Sequence, residues 1–242
     1  MLEWPDDIAV LIPAYKAATL LKSTIPGILT FAPAERIIVV DDASQDATKA
    51  VCDSLQVTCL THTVNKGKGG ALVTGFAHCI RKDYQWVITM DADGQHAPDD
   101  LPRFIAATKN IPVPGICIGA RMMQPGVMPV ERIASNRITS TLLGFFCGIT
   151  VKDSQCGYRI YNTDLLKRIT ITHHRFEMES EIIMKAAFLG FPVIFTNVQT
   201  LYLKGPSHIS HVADTLRWIA AVMNIRLQRR KIILQSKEKQ QV

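Results

Sequence analysis

Asp91-Ala92-Asp93 follows directly on the apolar run Trp86, Val87, Ile88, Thr89 and Met90. A short buried strand that ends in two carboxylates one residue apart aims them past its carboxyl edge, where open α/β sheets bind ligands. Side chains at i and i+2 of an extended segment share a face. The pair can therefore hold a hard divalent ion through oxygen, with the ion's remaining positions open to a diphosphate. That chemistry suits a nucleotide-sugar site. An acidic turn capping the next helix is the plainer alternative.

Other residues bear on that choice. Pro13-Ala14-Tyr15 and Asp41-Asp42-Ala43-Ser44-Gln45-Asp46-Ala47-Thr48 each close an apolar run, offering an aromatic platform and a base-binding Asp at the same sheet edge. Ser44 or Asp46 can equally cap a helix, whereas the adjacent acids Asp41 and Asp42 repel unless a ligand or donor compensates them. Asn65-Lys66-Gly67-Lys68-Gly69-Gly70 is glycine-rich. It lacks the Gly-Lys-Ser/Thr of a phosphate loop, and Leu72 stands where the dinucleotide fingerprint needs a small residue, which argues against ATP hydrolysis and hydride transfer. The loop can still approach a nucleotide closely and offer Lys68 as a donor, or it is a plain turn. Glu177, Glu179 and Glu181 crowd a helix entrance, where acids complement the helix dipole; Glu181 could also face an acceptor pocket. His208 and His211, beside Gly205-Pro206-Ser207, suggest a closing segment rather than a zinc site.

The elements that must position these groups are legible as alternation. Ile8 to Ile12, Ile37 to Val40, Val57 to Leu60, Val87 to Met90 and Ile116 to Gly119 read as strands separated by helical patterns, which predicts a mostly parallel sheet flanked by helices. Pro98 opens a helix carrying Leu101, Phe104 and Ile105. After Pro112, Pro114, Pro125, Gly126 and Pro129 the pattern becomes helix (Glu131 to Phe146), loop (Lys152 to Gly157), strand (Tyr158 to Tyr161) and helix (Met178 to Leu189). A last helix spans His211 to Leu234. Its stripe of Val212, Leu216, Ile219, Ala220, Met223 and Leu227 is expected to dock on the protein. A second stripe, Trp218, Val222, Ile225 and Ile232, edged by Arg226, Arg229, Arg230 and Lys231, is expected at a lipid interface. A core helix with a solvated basic end, or a dimer contact, would give the same pattern.

The chain has 242 residues, 48% of them hydrophobic, enough for one α/β domain with a small appendage. No stretch reaches the roughly 18 apolar residues of a membrane span, and the acidic start carries no secretory pattern. Cys52, Cys59, Cys79, Cys117, Cys147 and Cys156 lack the paired spacing of zinc or redox motifs and read as reduced, mostly buried thiols. The net charge of +6 is wholly C-terminal: residues 1–200 hold 19 basic and 19 acidic side chains, and residues 201–242 hold eight and two. Because those cations lie on one helical segment with few aromatics, an anionic membrane surface suits them better than nucleic acid.

Four segments, in this order, resemble the inverting glycosyltransferases of family two, particularly the polyprenyl-phosphate sugar transferases. They are Val39 to Ser44, Asn65 to Gly70, Met90 to His96, and Asp153-Ser154-Gln155-Cys156-Gly157-Tyr158-Arg159, and the likeness runs from about Ile8 to Trp218. The resemblance implies an A-type glycosyltransferase fold in which residues 1–210 are catalytic, with a nucleotide half to about 120, an acceptor half to about 210, and residues 211–242 as a basic amphipathic tail. It implies that Pro13, Ala14, Tyr15, Asp41 and Asp42 hold the nucleoside of a UDP- or GDP-sugar, joined by Lys68, Asp91 and Ala92. Asp91, Asp93 and Gln95 would bind Mg²⁺ or Mn²⁺ against the diphosphate. Arg121, after Gly119-Ala120, and Arg132, with Ser135 and Asn136, would hold the phosphate of a polyprenyl-type acceptor at the cytoplasmic face of a membrane. A surface carboxylate is the other partner open to Arg132.

Two questions stay open in the sequence. A lipid phosphate is already an anion and needs only positioning, whereas a saccharide or lipid hydroxyl needs a base, for which Asp153 is the candidate. Orienting Arg159 or capping a loop is the other role open to Asp153. Relatives usually carry Asn-Glu after the tyrosine, where this chain has Lys16-Ala17; a carboxylate expected near the nucleotide or the first helix is missing, and a silent nucleotide-sugar-binding module is the alternative that this departure raises.

Overall fold

Seven strands form one sheet in the order β3-β2-β1-β4-β6-β5-β7. The computed structural model describes residues 3–111, 114–122, 128–199, 201 and 211–239. The strands are β1 (Ile8–Ala14), β2 (Ile37–Asp41), β3 (Thr58–Thr61), β4 (Trp86–Thr89), β5 (Ile116–Arg121), β6 (Arg159–Asn162) and β7 (Val193–Val198). The helices are α1 (Ala18–Leu29), α2 (Thr48–Ser54), α3 (Gly67–Arg81), α4 (Leu101–Thr108), α5 (Val130–Cys147), α6 (Thr163–Arg168), α7 (Glu177–Phe188), α8 (His211–Leu227) and α9 (Arg229–Glu238). Strands β1, β2 and β4 are buried throughout. Continuous apolar runs are what a parallel sheet covered on both faces requires.

Two features of the topology place the site. The chain runs from β1 outward through β2 to β3, then returns to β4 on the other side of β1, with all three pairings parallel. The crevice beyond β1 and β4 is therefore the switch point at which such sheets take ligands. Strand β6 then enters antiparallel between β4 and β5, with Arg159 opposite both Thr89 and Ile118. Because β6 begins where its neighbours end, the loop holding Asp153 to Tyr158 reaches the rim that carries Asp91 and Arg121.

The edge strand β7 was not among the expected strands, although Val193, Ile194 and Phe195 follow Gly190-Phe191-Pro192. It is only half-buried and pairs with β5 alone. Trp86, Met90 and Phe104 lie in the core as expected.

The C-terminal segment departs from expectation twice. It is two helices, separated at Gln228, rather than one. Its faces are also reversed: Val222, Ile225 and Ile232 are buried and Trp218 packs against the core, while Leu216, Ile219, Met223 and Leu227 are exposed. The Trp218 indole N–H donates to Ser180 Oγ at 2.9 Å, and the indole needs that partner when buried. Period alone cannot rank two apolar stripes on one helix; the shape of α7 chose. Pro112, Pro125, Gly126, the Gly205-Pro206-Ser207 segment, His208 and the His211 side chain lie outside the described residues.

Candidate active site at the strand rim

The first strand end is built by its neighbour. Lys16 has a left-handed φ of 52°, and the backbone N–H groups at the start of α1 are taken by side chains after β2. Lys16 N donates to Ser44 Oγ at 2.8 Å, Ala17 N to Thr48 Oγ1 at 3.1 Å and Ala18 N to Asp46 Oδ2 at 3.2 Å. The carboxylate that Lys16-Ala17 lacks is thus replaced at the helix start by Asp46, a cap supplied from another element. Tyr15 is half-exposed on the rim, with the Lys16 ammonium 5.2 Å from its ring centre. Pro13 and Ala14 are buried behind it.

Asp42, expected at the nucleoside, is engaged from within the protein. It is buried and its carboxylate is filled from within: Oδ1 meets His62 Nδ1 at 2.6 Å and accepts Lys66 N at 2.8 Å, and Oδ2 accepts Gly67 N at 2.7 Å. The repulsion anticipated between Asp41 and Asp42 is relieved this way, with Asp41 Oδ1 accepting Ser44 N at 3.0 Å. Asp42 therefore pins the glycine loop. The glycines make room for protein rather than ligand, since a Cβ on Gly69 would lie 2.5 Å from the His174 carbonyl carbon.

Lys68 lies between two carboxylates. Its Nζ is 2.7 Å from Asp91 Oδ1 and 3.0 Å from Glu179 Oε1. Burial would lower the ammonium pKa, but Asp91 and Glu179 hold it raised; burial would raise Asp91, but Lys68 holds it lowered. Both stay charged. Around them, the fully buried Arg159 donates to the carbonyls of Cys156, Ser154 and Glu179, and His96 Nδ1 accepts Asp91 N at 3.1 Å. Burial lowers the His96 pKa against the pull of Asp91. Gly157 sits so close that a Cβ there would be 2.5 Å from Asp91 Oδ2.

The two acids of the Asp91-Ala92-Asp93 pair therefore diverge, because β4 ends at Thr89 and a turn occupies Ala92 and Asp93. Asp91 turns inward to Lys68. Asp93 is exposed, with Oδ1 accepting Gln95 N at 3.0 Å. Of the expected metal set, Asp93 and Gln95 present hard oxygen donors without an ion-pair partner among the described residues, and Asp91 is held by an ammonium. No cluster of three His, Cys, Asp or Glu suited to a metal occurs among the described residues. Few protein oxygens plus substrate phosphates is the manner in which Mg²⁺ is commonly held, so Asp93 and Gln95 fit such an ion.

On the acceptor side stands Asp153, the candidate base for a hydroxyl acceptor. Asp153 is fully buried. Its Oδ2 accepts Arg121 Nε at 2.8 Å, and its Oδ1 accepts Arg121 Nη2 at 3.0 Å, Asn136 Nδ2 at 2.6 Å and Gln155 N at 3.1 Å. Burial alone would raise its pKa, but the Arg121 fork outweighs it and the carboxyl is held low. A carboxylate so enclosed orients Arg121 instead of taking a substrate proton, and Asn136 is drawn into the same knot. Arg132, in the first turn of α5, is half-exposed with no ion pair among the described residues. Glu181 is buried as well, joined to Thr172, His173 and Lys185, so it fixes the 170–173 segment and does not line a pocket.

Glu179, Arg159 and Gly157 were not assigned to the rim from sequence. Arg159 and Gly157 stood inside the Asp153 to Arg159 segment, and Glu179 among the helix-entrance acids; nothing in their spacing told that they converge on Lys68 and Asp91.

The family model described as Glycosyl transferase family 2 matches residues 9–170. The chain is similar to the polyprenol monophosphomannose synthase of Mycolicibacterium smegmatis, at 31% identity over 67% of this chain and 64% of that one. It is similar to the UDP-N-acetylglucosamine--dolichyl-phosphate N-acetylglucosaminyltransferase of Methanococcus voltae, at 28% identity over 81% and 86%. Among solved structures, glucosyl-3-phosphoglycerate synthase of Mycobacterium tuberculosis, in complex with Mn²⁺, UDP-glucose and phosphoglyceric acid, shares the fold. Its TM-score is 0.71 at 17% identity, covering 90% of this chain and 79% of that one.

Proposed function

The chain belongs to glycosyl transferase family 2, and from that premise we propose that it moves a sugar, with inversion, from a UDP- or GDP-sugar to a polyprenyl-type lipid phosphate at the cytoplasmic face of a membrane. Residues 1–210 are assigned to catalysis, the nucleotide half ending near 120, and residues 211–242 to the membrane side. The observation that carries the acceptor class is Asp153. The carboxylate best placed in sequence to deprotonate a hydroxyl is closed off by Arg121 and Asn136, and a phosphate acceptor needs no base. The names of the relatives point the same way, to polyprenol and dolichyl phosphate.

In this reading Tyr15 stacks with the donor base, and Lys68 fixes Asp91 beneath the diphosphate. Asp93 and Gln95 would hold Mg²⁺ or Mn²⁺, which when bound would supply Lewis-acid neutralisation of the departing diphosphate, worth several kcal/mol. Arg132 and the start of α5 grip the acceptor phosphate, as a guanidinium and a helix N-terminus do, and hold its oxygen on the face of the anomeric carbon opposite the leaving group.

A panel of UDP- and GDP-sugars against a short polyprenyl phosphate, with Mn²⁺ and with Asp93→Ala as control, tests the reading. Transfer from one donor, abolished by Asp93→Ala, supports it. Transfer only to saccharide or lipid hydroxyls would move the acceptor class, and release of no nucleoside diphosphate from any donor would leave a silent binding module.

A further inference from the structure

Residues 169–176 join α6 to α7 without regular structure, yet their polar groups are taken by buried side chains. Glu181, fully buried on α7, accepts Thr172 N at 3.0 Å, Thr172 Oγ1 at 2.6 Å and His173 N at 2.9 Å, and meets His173 Nδ1 at 2.9 Å. Lys185, one turn further along α7 and also buried, donates to the same carboxylate and to the Thr170 carbonyl. Burying an acid and an ammonium costs desolvation that their attraction seldom exceeds. Stability therefore does not account for committing both to a segment in which Thr170, Thr172 and His174 are exposed. Position does.

The segment touches the start of α3. The His174 carbonyl accepts Gly70 N at 3.2 Å. The glycines there admit it: a Cβ on Gly67 would lie 3.0 Å from the His174 carbonyl oxygen, and one on Gly69 2.5 Å from its carbon. The same helix start gives Lys66 N and Gly67 N to Asp42. With these three N–H groups bonded within the protein, the beginning of α3 is clasped between the end of β2 and residue 174. Lys68 lies in the clasped turn.

Helix α7 thus holds Lys68 at both ends. Glu179 meets its ammonium at 3.0 Å, while Glu181, through Thr172, His173 and His174, fixes the backbone from which the side chain starts. Residues two apart on a helix point in different directions, so one acid reaches the ammonium and the other reaches the segment. Asp91 Oδ1, 2.7 Å from that ammonium, depends on both.

We propose that Glu181 is a positioning residue for the donor: by holding residues 170–174 against the start of α3, it sets where Lys68 and Asp91 stand beneath the diphosphate. The proposal rests on the nucleotide-sugar reading of the rim, and it gives Glu181 a donor role in place of the acceptor pocket open to it in sequence.

Two variants of the full chain test it. E181Q turns an amide nitrogen toward N–H groups that need an acceptor. T172V/H173A keeps the buried Glu181–Lys185 pair and removes only the two side-chain contacts nearer the surface, so it folds even where E181Q does not. Hydrogen exchange at the Gly70 amide is read by NMR, and binding of UDP and of GDP, each with Mn²⁺, by calorimetry per folded molecule. Both variants are expected to lose about tenfold protection at Gly70 and to bind the nucleotide that wild type prefers about tenfold more weakly. Donor KM is expected to rise with kcat within about threefold. A merely structural role would lower the folded fraction and leave the Kd of the folded protein as in wild type. Full protection at Gly70 in T172V/H173A, or lost protection with a wild-type Kd, overturns the proposal. Wild type that binds neither nucleotide would remove the nucleotide-sugar reading and this proposal together, whereas wild type that binds, with variants that bind equally, removes the proposal alone.

Discussion

Lys68 and Asp91 form an ion pair of 2.7 Å at the mouth of the sheet, each side chain about one-fifth exposed, so that the acid nearest the core is neutralised by the protein itself. This separates the roles of the two acids that sequence presents as equals. Asp91 belongs to a fixed charge network with Glu179, and Asp93 faces outward.

Removing the cation from that network leaves two carboxylates with no counter-ion of their own. Lys68→Met is expected to cost about 3 kcal/mol, as breaking one partner of a largely buried pair does, read as a shift in urea midpoint without a change in slope.

The pH dependence of folding follows from the same network. Asp91, Asp153 and Glu181 are held below their ordinary values in spite of burial, by Lys68, Arg121 and Lys185 respectively. Each releases its proton more readily folded than unfolded. Their stabilisation is therefore complete above the unfolded carboxylate range of about 4 and is lost as pH falls through the lowered folded values. Urea midpoints are expected to be level above about pH 7, to decline from about pH 6.5, where the unfolded His96 takes a proton that its buried ring resists, and to fall further below about pH 4; in Lys68→Met the loss below about pH 4 is smaller, because Asp91 is no longer lowered and has less stabilisation to lose.

Gly157→Ala puts a methyl group into the space of Asp91 Oδ2. Overpacking of this kind costs about 1–3 kcal/mol, and because the displaced group is Asp91, donor turnover should fall by more than the loss of folded protein. Activity per folded molecule, with folding followed by circular dichroism, checks this.

Arg132→Ala is expected to lower kcat/KM for a lipid-phosphate acceptor by about 10- to 100-fold, the worth of a charge-assisted hydrogen bond, with donor binding unchanged by calorimetry. Equal loss toward donor and acceptor would place Arg132 elsewhere.

Lys16→Asn replaces a left-handed lysine by a residue that tolerates that conformation. Since Ser44, Asp46 and Thr48 cap α1 through backbone N–H groups that the substitution leaves in place, stability should rise by about 1 kcal/mol, or about 2–4 °C in Tm. An unchanged or lower Tm would show that the Lys16 contact with Tyr15 outweighs the backbone gain.

What the sequence determined by itself was local and periodic. Runs such as Ile8 to Ile12 and Val87 to Met90 had to be buried strands, their alternation with helices required a mostly parallel sheet, and the ordered segments at Asp41, Asn65, Asp91 and Asp153 identified the rim. Hydrophobic period and motif order are properties of short windows, and they survive folding unchanged. What the tertiary structure decided were the partners. Asp42 became an anchor for the glycine loop, Asp91 acquired Lys68, and Asp153 was closed by Arg121, because antiparallel β6 delivers its loop to the edge where β4 and β5 end. Likewise, the inward stripe of α8 depended on the surface α7 offers. A charge can pair with whatever folding brings near it, and residues such as Lys68 and Glu179, 111 positions apart, meet only once the sheet has set their distance.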